Sequence, residues 1–158
     1  MSEVLKIIIA DDNTSMVNVM KGWIEENEKY KVIGIANDRE SETNLIETLK
    51  PDLVITDLKR KGDWGGLDII KYYNNKENSP LFFIVSAGVY GYIDELRELE
   101  IRYFLPKPFR TEDLMDRLSY IYNDVYPSAI VEIKKEVPNI KDRNFFDKLR
   151  KILKKRMR

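Results

Sequence analysis

The chain contains no cysteine and no histidine. The first absence excludes a disulfide framework and thiolate chemistry. The second removes imidazole acid–base catalysis and the usual zinc ligands. No apolar run approaches the ~20 residues of a membrane-spanning helix, and the first residues lack the apolar core of a secretory leader. Neither GxGxxG nor GxxxxGK followed by Ser or Thr occurs, so the common nucleotide-phosphate fingerprints are missing. No self-similar period suggests an array. Any chemistry must therefore rest on carboxylates, hydroxyls and lysines. The 158 residues, 43% of them hydrophobic and 11% aromatic, can build a real core. The expectation is one cytoplasmic domain with an appendage.

The formal net charge is zero, from 27 Lys/Arg and 27 Asp/Glu, but its distribution is uneven. Residues 142–158 carry eight Lys/Arg against two Asp/Glu, a net of +6, which leaves −6 on the remainder. An acidic body with a basic tail is the resulting picture.

Short apolar runs alternate with helical patterns along the body. Strands are expected at residues 5–10 (LKIIIA), 31–36 (KVIGIA), 51–57 (PDLVITD), 81–85 (LFFIV) and 101–105 (IRYFL). Helices are expected after each. In the first, Met16, Met20, Trp23 and Ile24 form the apolar stripe, with Asn13 or Thr14 as its cap. The second, 38–49, is polar except for Leu45, Ile46 and Leu49. The third uses Leu67, Ile69 and Ile70, and the fourth, 90–99, is short and acidic. Thr111 is placed as the cap of the fifth, with Leu114, Leu118, Ile121 and Tyr122 buried. Five strand–helix repeats mean βαβ units, a parallel sheet and right-handed crossovers. The body is expected over residues 1–126, with 127–141 as a linker or an extra packed segment.

Chemistry-bearing residues stand where the strands end. The first strand delivers Asp11 and Asp12, the third Asp57, the fourth Ser86 and the fifth Lys107. In a parallel sheet these ends share one edge, where α/β folds bind ligands. Converging carboxylates repel one another, and a hard divalent cation such as Mg²⁺ relieves this by taking carboxylate, water and phosphate oxygens. Lys107 adds a point charge suited to phosphate, and Ser86 a hydroxyl donor. Carboxylates also serve as phosphoryl-accepting nucleophiles. Each residue alone has a plainer use: Asp11 and Asp12 as a helix cap, Asp57 as a turn, Ser86 as a small loop residue, Lys107 as surface punctuation. Their coincidence at successive strand ends favours a phosphoryl site at Asp57.

The segments IIIADDN, DLVITD, FFIVSA and FLPKPF together resemble the acidic pair, acceptor Asp, hydroxyl residue and Lys-Pro of response regulator receiver domains of two-component signalling, chemotaxis-regulator-like in outline. The resemblance covers residues 3 to about 124. It implies a flavodoxin-like, doubly wound (βα)5 fold with strand order 2-1-3-4-5. It implies phosphorylation of Asp57 by a sensor histidine kinase or phosphotransfer protein. Mg²⁺, or Mn²⁺, would be held by Asp11, Asp12, Asp57 and the backbone carbonyl of Lys59. Ser86 and Lys107 would contact the phosphoryl oxygens, Phe104 would be the aromatic switch residue, and the peptide before Pro108 would be cis. A downstream protein, or a second copy in a homodimer, would meet the face of the fourth helix, fifth strand and fifth helix. The resemblance implies a switch, with at most self-phosphorylation and self-dephosphorylation as enzyme activity. The loop after Asp57 departs from the family: Lys61 stands where a proline is usual, and the loop is one residue longer and contains Trp64.

Two other classes were weighed. A degenerate receiver serving only as a protein-interaction module needs a missing Asp, Lys or hydroxyl, and none is missing. An aspartyl-phosphate phosphatase of the haloacid dehalogenase type wants a nucleophilic Asp on the first strand and another two residues on, where Asn13 stands. In residues 142–158, Phe145, Phe146, Leu149, Ile152, Leu153 and Met157 follow helical spacing, and Lys and Arg fill much of the remaining surface. This is a basic amphipathic helix. It suits docking on the acidic body, a linker to an output domain, or binding of a partner groove, a membrane surface or nucleic acid.

Overall fold

A computed structural model of the chain describes residues 3–60 and 65–127. The expected helix at 142–158, nearly all of the 127–141 segment, and Lys61 and Trp64 of the long loop lie outside the described residues. The chain divides into two units, Met1–Leu118 and Ser119–Arg158; the described part of the second runs to residue 127 and carries the last turns of the final helix.

The strands are β1 (Leu5–Ala10), β2 (Tyr30–Ala36), β3 (Leu53–Thr56), β4 (Leu81–Ser86) and β5 (Tyr103–Pro106). They pair in parallel in the order β2-β1-β3-β4-β5. The inner strands read as continuous apolar runs because both of their faces are covered; every residue of β3 is buried. Ile8, Val54, Phe82 and Ile84 lie in one cluster with Ile46, Leu67, Ile70, Val89 and Leu96. The alternate residues Ile7, Ile9, Ile55, Phe83 and Val85, also buried, serve the opposite face.

The helices are α1 (Thr14–Glu25), α2 (Arg39–Leu49), α3 (Gly65–Tyr73), α4 (Ile93–Glu98) and α5 (Thr111–Val125). With this strand order the crossover through α1 runs one way and those through α2, α3 and α4 the other. Right-handed crossovers then put α2, α3 and α4 on one face, and all three contribute to the cluster above. Asn13 caps α1, its side chain accepting from the Met16 amide at 3.1 Å. Asp38 and Ser41 form a reciprocal capping box on α2.

Four local expectations change. The buried stripe of α1 is Val17, Met20 and Ile24; Met16 and Trp23 are only half-buried. The fourth helix splits into a 3-10 turn, Val89–Tyr92, and a six-residue α4; Gly91, a poor helix former because of its backbone freedom, lies in the 3-10 turn. The second helix, read as polar apart from three apolar residues, buries the charged Glu42 beside Ile46, and Leu49 is exposed. Thr111 is the first residue of α5, and the capping position falls to Arg110. The carbonyl of Arg110 accepts from the amides of Asp113 and Leu114, and its own amide donates to the Asp113 carboxylate at 3.1 Å.

Candidate functional site

The carboxyl ends of β1, β3, β4 and β5 are stitched side by side. Asp57 continues the ladder, its amide donating to the Ala10 carbonyl at 3.0 Å, and the Lys107 amide donates to the Ser86 carbonyl at 3.1 Å. Register places Ala10 beside Thr56, Thr56 beside Ile84, and Ser86 beside Pro106. Residues distant in sequence thereby reach one edge, at the switch point between β1 and β3 where the chain's winding direction reverses.

Asp57 is 8% exposed and held on both oxygens. Ser86 Oγ donates to its Oδ1 at 2.7 Å, and Lys107 Nζ reaches its Oδ2 at 2.9 Å. The Lys59 amide also donates to Oδ1, at 3.2 Å. Asp11, 3% exposed, lies 2.6 Å from the same Lys107 Nζ through Oδ2, while its Oδ1 accepts from the Asn13 amide at 2.9 Å. One ammonium thus serves two buried carboxylates. Burial alone would favour the neutral amine of Lys107, but its hydrogen bonds to Asp11 and Asp57, with their charges, outweigh that and raise its pKa. Asp12 is half-buried at the end of β1.

A cleft of about 420 Å³ opens beside Asp57, lined by Lys59, Ser86, Ala87, Gly88 and Tyr92 among others. Phe104 is half-buried against the cluster containing Ile84, Val89 and Leu96, whereas its neighbour Tyr103 is buried on β5. The Lys107–Pro108 peptide is cis. On the far side of Asp57, Gly66 is pressed against the main chain: a Cβ there would stand 2.0 Å from the Asp57 carbonyl oxygen.

A family model described as the response regulator receiver domain matches residues 7–119. The chain belongs to this family. The receiver is 28% identical over 109 residues to the transcriptional regulatory protein YdfI of Bacillus subtilis, a match covering 69% of this chain and 51% of that one. It therefore spans about half the length of that curated relative. Among solved structures it is similar to the response regulatory domain of mrkE from Klebsiella pneumoniae, with a TM-score of 0.68 at 17% identity, covering 76% of this chain and 97% of the other. It is also similar to the isolated REC domain of RcsB from Salmonella enterica serovar Typhimurium, determined in the presence of the phosphomimetic BeF3-. That likeness has a TM-score of 0.67 at 24% identity, covering 74% and 87%. These likenesses show the flavodoxin-like receiver fold.

Asp11, Asp57, Ser86 and Lys107 converge on one point. Among the described residues, no three acidic side chains are grouped as a metal cage; Lys107 stands between Asp11 and Asp57 instead. Also among the described residues, no helix is long and apolar enough to cross a membrane. The pair that sequence reasoning missed is Glu42 and Arg60, both buried next to the acceptor strand. A signal was present: Glu42 lies one turn before Ile46 on the stripe that α2 buries.

Proposed function

We propose that this receiver is a phosphorylation-activated switch whose acceptor is Asp57. The observation that carries this reading is the clasp on the Asp57 carboxylate: a hydroxyl from β4 on one oxygen and an ammonium from the end of β5 on the other. Those donors suit phosphoryl oxygens equally well. In the transfer, an Asp57 oxygen attacks phosphorus, and the P–N bond of a kinase phosphohistidine breaks. The imidazole leaves with the bonding electron pair, and an acyl phosphate remains on Asp57. The donor would be a sensor histidine kinase or a phosphotransfer protein.

Asp11 and Asp57 bring two buried negative charges to a single lysine, with Asp12 adjacent. This excess of hard oxygen donors fits Mg²⁺ or Mn²⁺. Asp11, Asp12, Asp57 and the Lys59 carbonyl would hold the ion, and it would supply charge neutralisation for the transferred group. Ser86 and Lys107 would bind the phosphoryl oxygens. Phe104, packed against the cluster that α4 shares, would carry the change to the face of α4, β5 and the start of α5, where Tyr90 is exposed. A downstream protein or a second copy would bind that face.

Mass spectrometry after incubation with acetyl phosphate and Mg²⁺ tests the acceptor. One phosphoryl group is expected on the wild type, none on Asp57→Asn, and none on the wild type in excess chelator. Undiminished labelling of the Asn variant would overturn the assignment.

A further inference from the structure

Three residues beyond the acceptor, Arg60 is 4% exposed. Arginine is almost never buried unless paired. Its partner is Glu42, 0% exposed on an otherwise largely polar α2 and contacted by Arg60 Nη2. The same Nη2 donates to Thr56 Oγ1 at 2.7 Å, and the Thr56 hydroxyl donates onward to the Asp57 carbonyl at 3.3 Å. That carbonyl is the atom Gly66 of α3 presses upon. The main chain of Asp57 is thus caught between α3 and a polar chain that ends on α2. Between these fixed points, the Lys59 amide meets Asp57 Oδ1.

This pair is poorly designed for stability. Among the described residues, buried Arg60 Nε, Arg60 Nη1 and Glu42 Oε1 have no hydrogen-bond partner. A buried ion pair with orphaned polar atoms gains little over well-packed apolar residues of similar volume. What it provides is geometry: one guanidinium nitrogen, Nη2, ties residue 60 both to Thr56 on β3 and to a helix residue 18 positions earlier.

We propose that Glu42 and Arg60 form a buried anchor that positions residues 58–60, directly after Asp57, which makes them positioning residues for phosphoryl acceptance. This rests on Asp57 being the acceptor. The anchor holds Lys59, whose amide donates to the acceptor carboxylate, at a fixed distance from Asp57. A small displacement of a group beside a reacting centre costs far more rate than stability.

The experiment uses the full chain with the substitutions Glu42→Leu and Arg60→Met combined, alongside Glu42→Gln. Three quantities are read: the denaturation midpoint, hydrogen exchange at the Lys59 amide, and the rate of Asp57 labelling by acetyl phosphate with Mg²⁺. The apolar pair is expected to fold with a midpoint at or above wild type, to exchange faster at Lys59, and to label roughly tenfold more slowly or worse. Glu42→Gln keeps an acceptor for Arg60 and is expected to stay within about twofold of wild type in both exchange and labelling, because a neutral hydrogen bond preserves the geometry. Wild-type exchange and labelling in the apolar pair would overturn the anchor. So would failure of that pair to fold, which would make the ion pair a stability element. So would a Gln variant as impaired as the apolar pair, which would assign the effect to charge. If the wild type itself takes no label, the acceptor reading falls, and the Lys59 exchange rates alone decide the anchor.

Discussion

Lys107 is the residue whose loss the site would feel most. Its ammonium lies within 3 Å of both Asp11 and Asp57, and no second cation contacts either carboxylate among the described ion pairs. Lys107→Ala leaves two buried carboxylates facing each other. A loss of about 2 kcal/mol in urea denaturation at neutral pH is expected, the order of an unsatisfied buried charge-assisted hydrogen bond. Excess Mg²⁺ is expected to restore part of it, and to stabilise the variant more than the wild type. The sign of the pH effect at this site follows from the raised lysine pKa: its stabilisation is complete below the unfolded-state value and fades only as pH rises through the folded one. Glu42 behaves differently from a surface carboxylate. Burial raises its pKa despite the nearby Arg60. The native state therefore holds this proton more tightly than the unfolded state, and stability from Glu42 is lost as pH rises upward from the ordinary glutamate range. Wild type is expected to lose stability relative to Glu42→Gln as pH rises from the ordinary glutamate range, measured as parallel denaturation curves. An unchanging difference between the two would remove the titration from Glu42.

At the scale of an element, the termini of α1 and α3 carry separable effects. Asn13 both caps α1 and offers its amide to Asp11. Only the side chain is lost in Asn13→Ala, so a cost of about 1 kcal/mol is expected from the cap, with phosphoryl acceptance retained. Gly66 is a different case. A methyl group there meets the Asp57 carbonyl at 2.0 Å, and neither backbone can yield cheaply. Gly66→Ala is expected to cost about 3 kcal/mol and to slow labelling of Asp57 as well. Circular dichroism melts and the acetyl phosphate assay distinguish the two: a stability change without a rate change fits the cap, and both changes together fit the clash.

Across the whole molecule, the ends of four strands make the site, and Phe104, the proposed link to a separate readout face, packs among Val89, Leu96 and Ile84. Phosphorylation adds only a few contacts, so it is expected to shift a balance between existing states. Sedimentation with and without beryllofluoride is expected to show a change in assembly or partner affinity in the wild type. In Phe104→Ala the change should be lost while Asp57 still accepts the phosphoryl group. The charge division between body and tail belongs to this scale too. Removing residues 142–158 is expected to leave labelling of Asp57 unaltered, since among the described residues the groups clasping the acceptor lie within 11–107.

Runs such as LKIIIA and LVIT announce parallel strands because a strand covered on both faces must be apolar throughout. Asp11, Asp57, Ser86 and Lys107 were legible for a related reason: each ends such a run, and parallel strands share an edge. Local chemistry placed Asn13 as well, since a cap answers to the next three residues; the capping role of Asp38 emerged only in the structure. Other features depend on neighbours that arrive from far along the chain. Val17 displaced Met16 in the stripe of α1 because tertiary packing, not spacing, selects which face is buried. Gly66 read as a loop residue until α3 closed on the Asp57 carbonyl. Glu42 read as one more charge on a polar helix. Its burial against Arg60 requires α2 and the loop after β3 to lie side by side, and that contact exists only once the sheet has assembled in the order 2-1-3-4-5.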